Sequence, residues 1–232
     1  MADGNSVVTQ ITSTLSEMSL FVGLEAEIVG KFANDLSLSW VLPGQTVVEQ
    51  GEKTDDVHFV LSGRLLGLLM SDQGREVTYT EIKAGHYFGE LSALDGRPRS
   101  ITVSAANKTQ LGSMSATKFR EWMAGQSEIA HNLTIDLAER NRRLTERVFE
   151  LVVHDVDTRV RVMLSRLAQD HEQLKTGGVL EPSPTHDAIA TYIGATREAV
   201  SRVMARLSAE GAIKTERRRI TFLDLDLLLG KL

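Results

Sequence analysis

The spacing of apolar positions divides this chain into segments of different period. Residues 9–36 read as helical. From 40 to 114 the period shortens, and runs such as VHFVLSGRL and VTYTEI are rich in β-branched and aromatic residues. Turn signals separate these runs: PG at 43–44, QGE at 50–52, SG at 62–63, DQG at 72–74, AG at 84–85 and DG at 95–96. Short strands closed by turns about every ten residues predict an antiparallel sandwich or barrel.

Residues 116–154 return to a helical period. Leu137, Leu144 and Leu151 sit seven apart, and Thr134, Asn141 and Val148 form a second seam beside them. This is the a/d stripe of a coiled coil, flanked by Glu139, Arg140, Arg142, Arg143, Glu146 and Arg147. A long helix packed on its own domain would also carry such a stripe. The polar flanks favour pairing with a second helix, hence a dimer, with Asn141 suited to fix the register. Residues 155–170 continue helical. HEQLKTGGVLEPSP, 171–184, is polar, holds Gly-Gly and two prolines, and predicts a connection.

A second compact unit follows. In THDAIATYIGATREAVSRVMARLSAEGAI, 185–213, Thr185 is placed to cap one helix and Gly194 to end it. Thr196 caps the next, whose buried face is Val200, Val203, Met204 and Leu207, and Gly211 stops it. Two short helices joined by a glycine turn make a helix-turn-helix, whose second helix presents its first turns to the DNA major groove. Those turns carry Arg197, Glu198, Ser201 and Arg202. Arginine can donate twice to guanine, and glutamate can accept from a cytosine amino group. A merely solvated face accounts for Glu198 at a helix N-terminus but poorly for Arg197, a cation at the positive end of the dipole. AIKTERRRITFLDL then predicts a β-hairpin wing with Arg217–Arg219 at its tip, serving phosphate contact or simple solvation.

Composition changes the picture in a few places. The 232 residues suffice for one large or two small domains, and 42% hydrophobic with 25% charged residues is ordinary for a globular chain. No run reaches the length of a membrane span, and the N-terminus lacks the pattern of a signal peptide, so the expectation is a cytoplasmic protein with no membrane partner. There is no cysteine, which excludes thiolate-held iron–sulfur clusters, cysteine zinc sites and thiol switches. The histidines at 58, 86, 131, 154, 171 and 186 show no metal-ligand spacing, so no metal is expected. Net charge is −5, yet residues 185–221 carry seven Lys/Arg against four Asp/Glu, an asymmetry that suits a nucleic-acid surface.

FGELSALDGRPRS, 88–100, carries the carboxylate Glu90, arginines and two serines around a short helical turn. An anion would need the arginine. The carboxylate beside it makes sense only for a ligand that also carries hydroxyls. A plain Arg99–Glu90 surface ion pair would account for the charges but not for their context.

In order, VVEQGEKTDDVHFVLSGRL, FGELSALDGRPRSITVSA, the long central helix and TREAVSR resemble the CRP/FNR family of bacterial transcription regulators, nearest its cyclic-AMP receptor branch, over essentially the whole chain after residue 15. The resemblance implies an α+β fold. A cyclic-nucleotide-binding β jelly roll would span 1–115, a dimerisation helix 116–154 and a winged helix-turn-helix 155–232. It implies that Gly89, Glu90, Leu91, Ser92, Arg99 and Ser100 hold a cyclic nucleotide. Arg99 and Ser100 would meet the phosphate, Glu90 the ribose 2′-OH, and Gly89 would allow close backbone approach. Leu144 and Thr145 fall where the family reads the base. Thr145 keeps a hydroxyl, but Leu144 replaces a threonine and cannot accept from an adenine amino group, so cyclic AMP is the expected ligand with cyclic GMP left open. Thr185, Thr196, Arg197, Glu198, Ser201 and Arg202 fall at DNA-contacting positions. Arg197, Glu198 and Arg202 match the pattern associated with a TGTGA-like half-site, and Ser201 replaces a glycine as in the FNR branch.

The resemblance further implies a homodimer on an inverted repeat of double-stranded DNA, RNA polymerase as a partner, and a hinge near Val153–Asp157. Two alternatives stay open: a regulator of this family with another effector, such as a cyclic dinucleotide, or one that binds DNA without a ligand. A nucleotide-cleaving enzyme would need a metal cluster or an activated nucleophile. His86 near Glu90 is too little for either, so no enzymatic activity is expected.

Overall fold

The computed structural model describes residues 2–70 and 76–230, and the chain divides into two units, Met1–Asn141 and Arg142–Leu232. In the first, helices α1 (Ala2–Ser16) and α2 (Ala26–Asn34) flank a 3-10 turn at Ser19–Phe21. Strands β1 (Ser37–Val41), β2 (Thr46–Val48), β3 (Val57–Ser62), β4 (Arg64–Met70), β5 (Glu76–Lys83), β6 (Tyr87–Phe88), β7 (Thr102–Ala105) and β8 (Thr109–Met114) follow. Helix α3 (Glu90–Asp95) sits between β6 and β7, and α4 (Ala116–Gly125) and α5 (Ser127–Val153) come after β8. The expected turn at 72–74 lies outside the described residues.

The strands form two four-stranded antiparallel sheets, ordered β1-β8-β3-β6 and β2-β7-β4-β5. This is the jelly-roll arrangement. Val60, Phe88 and Leu111 of the first sheet pack with Val48, Leu65, Ile82 and Val103 of the second. The other face of the first sheet is covered by helices: Phe59, Tyr87 and Met114 meet Leu15, Phe21, Phe32, Phe119, Ile129 and Leu133. Strand β3 is therefore buried on both faces, which is why VHFVL is apolar without alternation. The helical side is knitted by aromatic edges, with ring centroids 4.8 Å apart for Phe21–Phe32 and 5.3 Å for Phe32–Phe59.

The second unit holds the C-terminal part of α5, then α6 (Val156–Asp170), β9 (Val179–Leu180), α7 (His186–Ile193), α8 (Arg197–Ala209), β10 (Ile213–Glu216), β11 (Arg219–Phe222) and α9 (Leu225–Leu229). The strands pair antiparallel in the order β10-β11-β9. Leu164, Ile189, Val200, Met204, Leu207, Phe222 and Leu228 are among the residues of one core beneath α7 and α8. Arg161 is fully buried in it. Its guanidinium donates to the Leu227 and Leu228 carbonyls at 2.6 and 3.1 Å and pairs with Asp157 at 3.1 Å and Glu210 at 3.4 Å. It thereby satisfies the end of α9 and ties α6 to the end of α8.

Some elements differ from the sequence reading. The helical approach is two helices and a 3-10 turn, because Gly23 takes a left-handed φ of 81° between them. The helical stretch 116–154 breaks at Gln126, where φ −134° and ψ 95° are extended. The connection 171–184 contains strand β9, whose Leu180 is buried against the core. Leu137, placed on the coiled-coil stripe, instead packs beside Ile129 and Leu133 on the first unit's own core.

Candidate functional site

The FGEL segment turns out of β6 through Gly89, whose φ is 89°. A Cβ there would lie 2.5 Å from the Asp56 carbonyl and 2.6 Å from Arg99 Nη1, so only glycine fits. Helix α3 follows, its Ala93 carbonyl held by Arg120 Nη1 of α4 at 2.5 Å. The strand return is fixed by backbone bonds, Gly51 N–H to Arg99 O at 2.8 Å and Arg99 N–H to Glu52 O at 2.9 Å.

These constraints bury both charged residues, Glu90 and Arg99 each keeping 4% of their surface exposed. Arg99 Nε donates to Thr54 Oγ1 at 2.9 Å and Nη1 to the Gly89 carbonyl at 3.4 Å. Its Nη2 is buried with no hydrogen-bond partner among the described residues. An orphaned guanidinium nitrogen in a buried pocket is costly unless an anion meets it. Burial lowers the Arg99 pKa against the pull of Asp56, Glu52 and Asp55. His58 lies close by, stacked on Phe88 at 4.9 Å and bonded through Nδ1 to Ser113 Oγ at 2.8 Å. Burial, then the charge of Arg99, pushes its pKa down to about 4.

Glu90 does not pair with Arg99. Its Oε1 accepts from Arg140 Nη1 at 3.0 Å, and Arg140 Nη2 reaches Asp136 at 2.7 Å. Asp136 also accepts from the Tyr87 hydroxyl at 2.5 Å. Burial raises the Glu90 pKa, opposed by Arg140. Burial and then Asp136 raise that of Tyr87. For Arg140, burial alone would lower it, but the charges of Glu90, Tyr87 and Asp136 outweigh this and raise it.

Of the cassette residues singled out from the sequence, Gly89, Glu90 and Arg99 come together, with Ser92 buried on α3, Ser100 exposed beside Arg99, and Leu91 exposed. Leu144 and Thr145 lie on α5 in the second unit, both exposed. The sequence reading missed Tyr87, Asp136, Arg140, Thr54 and His58. Asp136 and Arg140 carried a visible signal, opposite charges four apart on a helix.

In the second unit Thr185 and Thr196 cap α7 and α8, accepting from Ala188 N at 3.1 Å and Ala199 N at 3.2 Å. Gly194 ends α7 with φ 64°. Arg197, Glu198 and Arg202 are exposed on α8, and Ser201 is half-buried. Arg197 Nε lies 3.8 Å from Asp187, which offsets the unfavourable dipole at that end. Ser201 Oγ is 2.9 Å from His186 Nδ1. Arg217, Arg218 and Arg219 are exposed at the β10–β11 turn, where Arg218 takes φ 57°. Among the described residues no cluster of three or more His, Asp or Glu could hold a metal, and no helix is long and apolar enough to cross a membrane.

Known proteins resemble the chain at both sites. Residues 39–126 match the family model of the cyclic nucleotide-binding domain, and residues 158–230 that of the Crp-like helix-turn-helix domain. A CRP-like cAMP-activated global transcriptional regulator of Mycobacterium tuberculosis is 30% identical over 216 residues, 92% of this chain and 96% of the relative. The cAMP-activated global transcriptional regulator CRP of Escherichia coli is 26% identical over 203 residues, 83% of this chain and 97% of the relative. Among solved structures, the catabolite activator protein of Thermus thermophilus aligns with a TM-score of 0.56 at 26% identity, covering 90% of this chain and 96% of that one. The c-di-GMP responsive global regulator of Xanthomonas campestris aligns with a TM-score of 0.72 at 19% identity, covering 86% of this chain and all 100% of that one, a likeness of fold.

Proposed function

The chain belongs to the CRP/FNR family of transcription regulators, and from that premise we propose that it is a cytoplasmic homodimer that reads an inverted-repeat, TGTGA-like DNA site under the control of cyclic AMP, with cyclic GMP as a second ligand. The observation that carries the ligand assignment is the buried Nη2 of Arg99, which has no hydrogen-bond partner among the described residues. When bound, the ligand supplies one negative charge and one free ribose hydroxyl. Arg99 and Ser100 would hold the cyclic phosphate, and Glu90, shared with Arg140, would accept from the 2′-OH. Gly89, Leu91 and Ser92 belong to the same cassette.

Leu144 and Thr145 would face the base. The dimer reading is supported by the apolar side chains that α5 exposes after Asn141: Leu144, Val148, Phe149, Leu151 and Val152. DNA contact falls to Thr185, Thr196, Arg197, Glu198, Ser201 and Arg202, with the Arg217–Arg219 turn on phosphates. The break between α5 and α6, where Asp155 accepts from Thr158 N at 2.8 Å, is the hinge through which ligand state reaches the recognition helix. A coupling of about 2–3 kcal/mol there changes DNA affinity by roughly a hundredfold. RNA polymerase is the partner that the bound dimer engages.

Titration calorimetry with cyclic AMP and cyclic GMP tests the ligand half. We expect micromolar binding that Glu90→Ala and Arg99→Ala each abolish. Arg197→Ala should remove site-specific DNA binding and leave nucleotide affinity intact; a matched loss of both would refute that division. A different effector is the second reading, favoured by the engagement of Glu90 with Arg140 before any hydroxyl arrives. Folded protein that gives no heat with either nucleotide would overturn the cyclic-nucleotide assignment and leave a regulator with another effector or with none.

A further inference from the structure

We infer that His186, with the proton of its neutral ring on Nε2, is a positioning residue that decides which bases Ser201 can read. The inference rests on the DNA-reading role proposed for α8. Ser201 stands one turn beyond Arg197 and next to Arg202, and its hydroxyl is 2.9 Å from His186 Nδ1 at the first residue of α7. The contact joins the two helices of the helix-turn-helix at the face that meets the groove.

A serine hydroxyl has one proton and two lone pairs. When His186 is neutral with its proton on Nε2, Nδ1 is an acceptor and the Ser201 hydroxyl donates its hydrogen bond to it. Ser201 then offers a base edge only lone pairs, which match the amino groups of adenine and cytosine. When the ring is protonated, Nδ1–H donates to Oγ and the hydroxyl is left to donate toward the DNA. Ser201 then matches the acceptors of guanine and thymine. Adenine presents an acceptor and a donor and satisfies either state. Cytosine suits only the first, and guanine and thymine only the second. Bases are thus sorted by a side chain that need not touch them.

Charged groups stand on both helices that carry this pair. Asp187 on α7 and Arg197 on α8 are engaged with each other at 3.8 Å. Arg202 and Glu198 are exposed on α8. On the wing side the Arg218 carbonyl accepts from Ser183 N at 2.8 Å, and Arg219 lies 3.7 Å from Glu181. Carboxylates and guanidiniums as classes keep their charge where an imidazole changes its own.

The test starts from the two-fold duplex selected by the full-length protein, with cyclic AMP, from a random library. Each base is then placed in turn at every half-site position, and affinities are measured at about pH 5.5 and about pH 8.5. In the native protein, one position should shift toward guanine and thymine over cytosine by about tenfold at the lower pH, with adenine unchanged. His186→Ala should flatten the preference at that position and remove its pH dependence. In a Ser201→Ala background, His186→Ala should change nothing further. A native protein with no such pH shift overturns the inference, as does a shift that survives Ser201→Ala. Failure to select any duplex would instead sink the DNA reading itself, and this inference with it.

Discussion

Arg99 in the cassette keeps 4% of its surface exposed, whereas the side chain of Arg197 on α8 keeps 65%. In the proposed function both meet a nucleotide, but the partners differ. A small ligand can be enclosed, so the cassette withdraws its charges from water, leaves one donor unfilled and uses low dielectric to make a single contact strong. A duplex cannot be enclosed, and α8 keeps Arg197 and Arg202 exposed to water, where a phosphate or base contact is weaker, sensitive to salt and effective only in number. The cassette therefore gains by rigidity, with Gly89, Thr54 and the 51–52 turn fixing Arg99, while the recognition face needs only a rigid base.

That base contains its own enclosed charge, and removing it should have the largest effect. Arg161→Ala leaves Asp157 and two α9 carbonyls with one partner fewer, and should destabilise the second unit by about 3–5 kcal/mol. Chemical denaturation monitored separately in the two units checks it. If the loss is no larger than for an exposed arginine such as Arg202→Ala, the contrast between enclosed and solvated charges does not describe this unit.

Next in size is His58 in the first unit. Its folded pKa of about 4 lies below the ordinary imidazole value, so the unfolded chain binds the proton first as pH falls. The stability it contributes is complete above the unfolded pKa and is lost as pH drops toward the folded one. Between neutrality and about pH 5 this amounts to about 2 kcal/mol. Glu90 shifts in the opposite sense: its raised pKa gives stability at low pH that disappears as pH rises. The difference between native protein and His58→Gln isolates the imidazole. The native melting temperature should fall across that window by several degrees more than the variant's, and equal falls would remove His58 from the account.

Much of this architecture was legible in the sequence because its signals are local. Turn residues spaced the strands, and Thr185, Gly194 and Thr196 bounded the two helices of the helix-turn-helix where the structure has them. What escaped was long-range. Arg140 sits fifty residues from Glu90, and a charge on a polar helix face gives no hint of which carboxylate it will reach. The i, i+4 spacing to Asp136 was visible but reads equally well as surface decoration. Leu137 fitted a heptad, yet the same position also continues the Ile129–Leu133 stripe onto the first unit's core, and tertiary packing decided between them. Leu180 was hidden because two prolines and two glycines around it outweighed a two-residue strand.

The smallest effect belongs to the wing, where Arg217 is exposed at the β10–β11 turn. A solvated cation that meets a phosphate acts by releasing a counterion, with no base to recognise. Arg217→Ala should weaken specific and non-specific duplexes by the same factor and reduce the slope of log affinity against log salt by about one. Nucleotide binding at the cassette should be unchanged. A salt series on one specific and one scrambled duplex reads all of this at once. If Arg217→Ala instead relaxed base preference with the slope intact, the wing would be an enclosed, base-reading element, and the line between the two kinds of charge would have to be drawn through the DNA-binding unit itself.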